Sequence, residues 1–429
     1  GKIKRSKKSA KSSDTPHYEN VPFEVPSSWV WCRLEDIAYV ASGSTPDKTC
    51  FVENGVPYIK MYNLRNQKID FAYHPQYITE EVHNGKLQRS RTEVGDLIMN
   101  IVGPPLGKLA IIPTTLPQAN FNQAAVLIRP YKFKEVLVSY LKVYLEEMSE
   151  INSIATRGSA GQVNISLTQS QNMRIPIPPL NEVRRIIEEV SKYDILIDSL
   201  KQNITDIQNL IAYTKSKILD LAIHGKLVLQ DPNDEPAIEL LKRINPDFTP
   251  CDNGHYPVGW IETILGELFS HNTGKALNSS NKEGIFKDYL TTSNVYWNKF
   301  DFTAIKQMPF KESELNKCTV TKGDLLVCEG GDIGRSAIWN YDYDICIQNH
   351  IHRLRPKIDL CVPFYYYTFA YLKENNLIGG KGIGLLGLSS NALHKIEMPL
   401  PPLAEQQRIV QKIEELFSVL DNIQNALEV

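Results

Sequence analysis

The longest regular pattern of apolar positions runs from Ile186 to Leu221 and predicts a long amphipathic helix. Its apolar stripe consists of Ile186, Val190, Tyr193, Ile197, Leu200, Ile204, Ile207, Ile211, Thr214, Ile218 and Leu221. This alternation of four and three residues is the heptad spacing of a coiled coil. A helix over residues 181–223 would be about 60 Å long. Asn181 is the expected N-cap and Gly225 the expected stop.

A second helix of the same type is predicted close to the end of the chain. Its stripe consists of Ile409, Ile413, Leu416, Leu420 and Ile423, followed by Leu427. Both helices follow a Pro-Pro-Leu sequence, at residues 178–180 and 401–403. Each stripe needs an apolar partner, and the simplest partner for each helix is the other one.

The two Pro-Pro-Leu sequences belong to a repeat that extends over nearly the whole chain. Trp29 aligns with Trp260 at an offset of 231 residues, and the offset falls in order to 223 where Pro178 aligns with Pro401. Between these points the sequence GDLIMN at 95–100 matches GDLLVC at 323–328. Such an ordered series indicates a duplicated domain.

Each copy is predicted to mix strands and helices. Runs such as VPYIKMYNL, DLIMNIV, KLAIIP and AAVLIRP are short, apolar or alternating, and bounded by Gly, Pro or Asn, which favours strands. Two further stretches have helical spacing: Leu137, Tyr140, Leu141, Tyr144, Leu145 and Met148, and then Phe364, Tyr367, Thr368, Tyr371 and Leu372. Tyrosines at this spacing favour a packed core over base stacking. The predicted fold class is a duplicated α/β (α+β) architecture.

Composition narrows the class of protein without identifying it. The 429 residues are 42% hydrophobic and 22% charged, with a net charge of −2. The seven cysteines include no C-x-x-C pair, which disfavours a zinc site or a disulfide framework. No apolar run reaches the roughly 18 residues of a membrane helix. Residues 1–13 carry six Lys or Arg and no acid, and form a basic arm that is most simply solvated.

Motifs for catalysis are weak or missing in the sequence. A DNA methyltransferase that modifies a base amine needs an Asn/Asp-Pro-Pro-aromatic loop, and GPPLG at 103–107 lacks both the Asn or Asp and the aromatic residue. The Glu-x-Lys sequence of a common type of metal-dependent nuclease does not occur. GIGLLG at 382–387 fits a dinucleotide motif, but no clear strand precedes it. The histidines are dispersed, and His350 and His352 are better interpreted as structural. We therefore predict no catalytic, cofactor or metal site.

Several segments together resemble the specificity subunit of type I restriction-modification systems. They are PPLAEQQRIVQKIEEL, ILDLAIHGKLVLQDPNDEPAIELLKRI, WVWCRLEDI with SGSTP, and GDLIMNIVGPPLGKLAII. The resemblance implies two target recognition domains joined by an antiparallel coiled coil and related by a pseudo-twofold axis. It implies a cytoplasmic, non-catalytic subunit that reads a bipartite site in double-stranded DNA. Its implied partners are methyltransferase (modification) subunits and restriction or translocase subunits, with no membrane. One departure is Asn181-Glu182-Val183, where the family usually has Ala-Glu-Gln.

The predicted organisation follows from the repeat and the resemblance. It comprises a basic arm (1–13), a first recognition domain (14–179), a central helix (180–224), a connector (225–256), a second recognition domain (257–402) and a C-terminal helix (403–429). We refer to the two recognition domains as the first head and the second head.

DNA-contacting residues are expected in loops that carry donors, acceptors or cations. In the first head the candidates are Lys60, Asn63, Arg65, Lys108, Arg157, Ser159, Gln162 and Asn164. In the second head they are Thr292, Asn294, Gly330, Arg335 and Lys381. Asn63 and Asn294 occupy equivalent places, as do Lys108 and Arg335, which suits structural or phosphate roles. Lys60 and Arg65 are replaced by Thr291 and Tyr296, which suits sequence reading. Solvated loops or capping roles are the alternative for each.

Two other functions remain open at this point. A coiled-coil scaffold that binds no DNA would have the same repeat and the same heptads. An enzyme with an unrecognised site would transfer a methyl group without a second protein.

Overall fold

The computed structural model describes residues 21–103, 106–147, 164–249, 256–277, 283–378 and 388–428. The chain divides into two compact units, residues 1–199 and residues 200–429. Each unit combines short strands with a few helices, as the sequence predicts. No helix in the described ranges is long and apolar enough to cross a membrane.

The first unit contains twelve described strands and reaches into the central helix. The strands are β1 (Val30–Arg33), β2 (Ala38–Ser42), β3 (Phe51–Val52), β4 (Val56–Ile59), β5 (Leu64–Arg65), β6 (Lys68–Ile69), β7 (Tyr77–Ile78), β8 (Leu97–Asn100), β9 (Leu109–Ile111), β10 (Asn120–Phe121), β11 (Ala125–Pro130) and β12 (Arg174–Ile177). The helices are α1 (Leu34–Ile37), α2 (Glu80–Asn84), α3 (Lys134–Glu147), α4 (Leu167–Gln171) and α5 (Leu180–Ile223), which continues into the second unit. Single 3-10 turns lie at Lys48–Cys50, Met61–Asn63 and Gln88–Ser90.

The second unit repeats this order of elements. Its described strands are β13 (Ile261–Ile264), β14 (Phe269–Thr273), β15 (Ile285–Leu290), β16 (Val295–Tyr296), β17 (Lys299–Phe300), β18 (Lys306–Phe310), β19 (Thr319–Val320), β20 (Leu325–Cys328), β21 (Ser336–Ile338), β22 (Ile345–Ile347), β23 (Ile351–Pro356) and β24 (Glu397–Leu400). Its helices are α6 (Ala237–Lys242), α7 (Leu265–Leu268), α8 (Glu312–Cys318), α9 (Val362–Glu374), α10 (Ser390–His394) and α11 (Leu403–Leu427). A 3-10 turn lies at Thr292–Asn294.

Sheet topology confirms the duplication. The order β2-β11-β8-β9 in the first unit matches β14-β23-β20-β21 in the second. The antiparallel pair β1-β12 matches β13-β24, and the hairpin β5-β6 matches β16-β17. In the remaining four-stranded sheets, β10-β4-β7 of the first unit corresponds to β22-β15-β18 of the second. The fourth strand differs: it is β3, next to β7, in the first unit and β19, next to β22, in the second. The two heads are therefore one fold with different edges.

Repeated Gly-Asp and Arg-Pro sequences produce the same buried ion pair in both units. Arg129 on β11 bonds to Asp96 at 2.6 Å, and Arg355 on β23 bonds to Asp324 at 2.6 Å. Both aspartates are almost fully buried. Because a buried carboxylate needs a charged or hydrogen-bonding partner, the same arginine and aspartate occur in both copies.

Gly43 and Gly274 are retained in both copies for steric reasons. A Cβ added at Gly43 would lie 2.1 Å from the Asn122 carbonyl oxygen. At Gly274 it would lie 2.0 Å from the carbonyl oxygen of Ile347. No side chain fits so close to a neighbouring strand.

The tyrosine-rich helices belong to the core, as predicted, although the buried face of α9 differs. Tyr140 and Leu141 of α3 are buried in the first unit. On α9 the fully buried side chains include Tyr365 and Phe369, while Tyr367 packs only at the edge of the core. The predicted face is confirmed at Phe364 and Thr368, which are also fully buried, but the buried face extends to Tyr365 and Phe369, which the prediction did not include.

Helix α5 begins one residue earlier than expected, so Asn181 lies in its first turn and is not the N-cap. The C-terminal end is as predicted, with Gly225 at φ +66°. Near its start α5 packs on the first-unit core through Val183, Ile186 and Ile187. Its last turns enter the second-unit core.

Within the second unit, the last turns of α5 pack antiparallel to α11. Lys215 pairs with Asp421, whereas Gln230, beyond the end of α5, reaches Glu405 at the start of α11. The predicted stripe is buried or half-buried at Ile186, Val190, Ile211, Ile218, Leu221, Ile409, Ile413, Leu416 and Leu420. It is exposed at Ile197, Leu200, Ile204, Ile207 and Ile423. The expectation of a seam closed along the whole stripe is therefore wrong for the middle of α5, where these apolar side chains face solvent.

Candidate nucleic-acid interface

A concave surface forms in the first unit between the β5-β6 hairpin and the loop before β9. Asn66 and Gln67 close the hairpin with φ values of +48° and +54°. The Gln67 side-chain oxygen accepts a hydrogen bond from the Leu109 amide at 2.7 Å, which ties the hairpin to β9. The cavity has a volume of about 470 Å³ and is lined by Leu64, Arg65, Asn66, Gln67, Leu106, Gly107 and Lys108.

Arg65 and Lys108, 43 positions apart in sequence, come together at this cavity. The Arg65 guanidinium carbon lies 4.0 Å from the centroid of the Tyr73 ring, and its Nε is 3.8 Å from the Asp70 carboxylate. Stacking on an aromatic face restrains the guanidinium while leaving N–H groups at its edge. The structure thus presents two cations in one exposed concavity.

Lys60 lies at the start of the adjacent 3-10 turn. Its backbone N–H donates to the side-chain oxygen of Asn63 at 2.9 Å. The Lys60 ammonium is 5.5 Å from the ring centroid of Phe51. The side chain is half-buried and can reach solvent.

Asn63 and Asn294 have structural roles, and the expectation that they contact DNA is not supported. They are 1% and 2% exposed. The Asn63 amide nitrogen donates to the carbonyls of Asp70 and Tyr73, at 3.1 and 2.7 Å. Asn294 donates to the carbonyl of Asp301 at 2.9 Å. Because these side-chain amides bond to the loop that follows each turn, they have no group left to contact a DNA groove.

The equivalent surface of the second unit has a different arrangement. Tyr296, which replaces Arg65, lies with its ring centroid 5.0 Å from the guanidinium carbon of Arg335. Arg335 also donates to the carbonyl of Thr292 and is half-buried. Tyr296 is exposed, and the space around Gly330 is open. In the second head, therefore, the cation of Arg335 is held inward and the aromatic side chain of Tyr296 is exposed.

The other predicted contact residues are distributed as follows. Asn164 is exposed and forms a β-bridge with Val102. Arg157, Ser159, Gln162 and Lys381 lie outside the described residues.

No group of His, Cys, Asp or Glu side chains in the described ranges is arranged to hold a metal ion. Three histidines of the second unit instead form a hydrogen-bonded chain. His352 Nε2 lies 2.7 Å from the Leu388 carbonyl, His271 Nε2 lies 2.7 Å from His352 Nδ1, and His394 Nε2 lies 3.1 Å from His271 Nδ1. The carbonyl accepts only, so each Nε2 donates and all three rings fit the neutral tautomer. Burial lowers the pKa of His271 to about 4 and also lowers the pKa of His352.

A polar cluster joins α11 to the second head and was not identified from the sequence. The carboxylate of Glu405 accepts hydrogen bonds from Trp260 Nε1 at 2.9 Å and from Gln230 Nε2 at 3.0 Å. Burial raises the pKa of the Glu405 carboxyl. Arg408, one turn further along α11, bonds to Asp234 at 2.6 Å.

Gln406 completes the second Pro-Pro-Leu junction. Its side-chain oxygen accepts from the Cys361 amide and its nitrogen donates to the Pro401 carbonyl, both at 2.9 Å. In the first copy Val183 stands at this position and is fully buried. The Ala-Glu-Gln sequence could have indicated this cluster, because it places two polar residues at the start of a helix.

Comparisons with known proteins agree with this architecture. The family model for the type I restriction modification DNA specificity domain matches residues 26–209 and 257–429. The EcoEI specificity subunit of Escherichia coli is 24% identical, over 100% of this chain and 83% of that protein. The putative MjaX specificity subunit of Methanocaldococcus jannaschii is 24% identical, over 93% of this chain and 89% of that protein.

Solved structures share the fold. The HsdS subunit from Thermoanaerobacter tengcongensis superposes with a TM-score of 0.57 at 19% identity, covering 95% of each chain. A chain from a study of complex assembly and conformational transition of the type I R-M system gives 0.58 at 20% identity, covering 95% of this chain and 94% of that one. Because the family model matches most of its length, in two copies, the chain belongs to the family of type I restriction modification DNA specificity domains.

Proposed function

We propose that this protein is the DNA-recognition subunit of a type I restriction-modification complex. Each head reads one half of a bipartite site in double-stranded DNA, and the central and C-terminal helices set the unread spacer. The observation that carries the proposal is the duplicated hairpin surface, which has equivalent strand pairing in the two heads but different side chains. Two recognition domains of the same fold with different surfaces suit a DNA target whose two half-sites differ.

In the first head, Arg65 and Lys108 are the proposed cationic contacts. The restrained guanidinium of Arg65 matches the geometry of a guanine edge, because paired N–H groups can bond O6 and N7 together. Lys108 follows a glycine loop, which suits a phosphate contact that positions the duplex. Lys60 and Asn164 lie on exposed or half-exposed positions of the same head and are proposed to support them.

In the second head, Tyr296 takes the position of Arg65 and is the proposed reading residue. Arg335 is held by Tyr296 and by the Thr292 carbonyl, so its proposed role is to position that surface. Thr292 and the open loop at Gly330 are the proposed backbone-proximal contacts. The two half-sites should therefore differ, and the whole target should not be a palindrome.

The proposed partners are methyltransferase and restriction subunits, which would supply the catalysis in the cytoplasm. The exposed apolar side chains of α5 offer a surface for a partner protein. They include Tyr193, Ile195, Leu196, Leu200 and Leu210. An isolated patch of this kind on a helix is typical of an interaction site.

The rival function is a coiled-coil scaffold that binds no DNA. Selection of bound sequences from a random duplex library, with the methyltransferase subunits present, separates the two. We expect a bipartite motif with a fixed gap. In the Arg65→Ala variant, selection should relax at one base pair, with a loss of about 1–3 kcal/mol at that position. Recovery of no motif would favour the scaffold.

A further inference from the structure

The turn of the β5-β6 hairpin combines a favourable and an unfavourable residue. Arg65 pairs with Lys68 across the hairpin, and the two residues between them, Asn66 and Gln67, have φ values of +48° and +54°. Two-residue hairpin turns of this kind favour Asn at the first position and Gly at the second. Asn66 therefore suits the turn, whereas a glutamine at position 67 adds backbone strain, and such strain is concentrated at functional sites.

The strain at Gln67 is offset by a contact that fixes the hairpin. Its side-chain oxygen accepts a hydrogen bond from the Leu109 amide of β9 at 2.7 Å, and the residue is half-buried. Leu109 directly follows Lys108, so the same bond holds the hairpin tip at a defined place relative to that cation. Discrimination between bases requires side chains that are held in such a defined geometry.

Asn66 presents an amide that the turn does not use. The residue is exposed, and its side chain makes no hydrogen bond within the described part of the chain. It lines the same cavity as Arg65 and Lys108. An amide with one acceptor oxygen and two N–H donors therefore lies beside the guanidinium in one open concavity.

The shape and charge of the hairpin suit the major groove of DNA. This groove is about 12 Å wide and admits a two-stranded β-ribbon. Arg65, Lys68 and Lys108 place three cations at or next to the tip of the ribbon. These cations favour a position between two rows of phosphates, where the side chains at the tip reach the edges of the base pairs.

Successive residues at the tip match successive base pairs in spacing. Neighbouring Cα atoms are about 3.8 Å apart, and stacked base pairs are about 3.4 Å apart. A guanidinium can bond O6 and N7 of guanine together, and a side-chain amide can bond N6 and N7 of adenine together. Arg65 and Asn66 therefore have the chemistry to read a guanine and an adenine at neighbouring base pairs.

We propose that Asn66 is a specificity-determining residue of the first head, which reads an adenine at the base pair next to the guanine read by Arg65, and that Gln67 positions both side chains. The inference rests on the proposed function, because it requires the hairpin to enter DNA. At the offset of 231 the second head has Trp297 and Asn298 in these places. The first position of its turn therefore carries no amide, and its half-site is read differently.

Replacement of Asn66 by glycine separates base reading from turn formation, because glycine adopts positive φ without an amide. Bound sequences are selected from a random duplex library, with the methyltransferase subunits present, by the unaltered chain and by Asn66→Gly. We expect the variant to keep the guanine and the second half-site, while its preference for adenine falls about five- to 150-fold. Asn66→Asp, which keeps an acceptor but has no side-chain N–H, should select cytosine at this base pair.

Two further glycine variants complete the test. Asn298→Gly changes the other hairpin turn, at a residue with φ +46°, and should leave the first half-site unchanged. Gln67→Gly keeps its own turn but loses the bond to Leu109. The preference at both base pairs should therefore fall in Gln67→Gly, while the second half-site stays as it is.

Absence of a bipartite motif for the unaltered chain would refute the proposed function itself. With a bipartite motif present, three results would overturn the inference alone: no adenine next to a guanine in either half-site, a motif unchanged by Asn66→Gly, or an equal weakening of every position in that variant. Loss of the adenine in Asn298→Gly would also overturn it, because the effect would then not come from the amide of Asn66.

Discussion

Replacing Glu405 by alanine should destabilise the second unit far more than the same change at Glu182 destabilises the first. Glu405 is buried, and its two oxygens accept from Trp260 and Gln230. Removing the carboxylate takes away the acceptor of the buried Trp260 indole N–H, whereas Gln230 is exposed and its amide nitrogen also donates to the Gly225 carbonyl at 2.7 Å. Glu182 holds the equivalent place at the start of α5 but has no such hydrogen bond among the described residues. The chain thus contains its own matched control.

The magnitude follows from two opposing effects. A buried donor that loses its partner costs about 1–3 kcal/mol, and here the Trp260 indole N–H is such a donor, while the exposed Gln230 amide can turn to water. Against this, the substitution removes a buried charge, whose cost is indicated by the raised pKa of Glu405. We expect a net loss of about 1–2 kcal/mol in the free energy of unfolding of the second unit. For Glu182→Ala the expected change is within about 0.5 kcal/mol, as for other partly exposed sites.

Hydrogen exchange read by mass spectrometry resolves the two units, which a single melting curve does not. Amides in the first turns of α11 should exchange about five to thirty times faster in Glu405→Ala, at tenfold per 1.4 kcal/mol. The first turns of α5 should be unchanged. Equal effects of the two substitutions in their own units would refute the reasoning, because the Trp260 and Gln230 contacts would then contribute nothing.

Three further predictions concern the second head and the central helix. Gly274→Ala should prevent correct packing of β14 on β22, since its Cβ would lie 2.0 Å from the Ile347 carbonyl; circular dichroism and proteolysis would detect this, and an unaffected melting temperature would contradict it. The second unit should lose stability as the pH falls from 6.5 to about 4, because the folded state depresses the pKa of His271 while the unfolded chain takes up the proton. The His271→Val variant, which has the residue found at Val40 in the first head, should show a flatter pH dependence of hydrogen exchange. An unchanged slope would contradict this prediction. Deleting residues 197–203 keeps the heptad phase and shortens α5 by about 10 Å, so the preferred spacer should shorten by about three base pairs in a series of methylation substrates; full activity at the original spacer would show that α5 does not set the distance.

Periodicity and the internal repeat were sufficient to predict much of this fold. The heptads placed α5 within one residue at its start, and alternation located β4, β8, β9 and β11. Gly43 and Gly274, which align in the repeat, lie where strands approach closely. These features depend on local spacing and on backbone sterics, which the sequence of each copy records directly.

Side-chain roles at the candidate interface depend on contacts that local pattern does not record. Asn63 looks like a loop residue available to DNA, yet its amide holds the Asp70 and Tyr73 carbonyls. Lys108 and Arg335 are equivalent in sequence, but only Arg335 lies beneath an aromatic ring, because Tyr296 replaces Arg65. The heptad pattern likewise predicts which positions are apolar but not which of them pack against another helix. In the middle of α5 these apolar side chains are exposed.

The proposed function requires that each head independently reads one half of the target. The most direct test is base-resolution mapping of modified sites in cells that express this chain with its methyltransferase subunits. The mapping is then repeated with residues 26–177 replaced by residues 257–400. We predict a bipartite, non-palindromic target for the natural chain and a symmetric target, built from the second half-site twice, for the exchanged chain. An unchanged target after the exchange would contradict the claim.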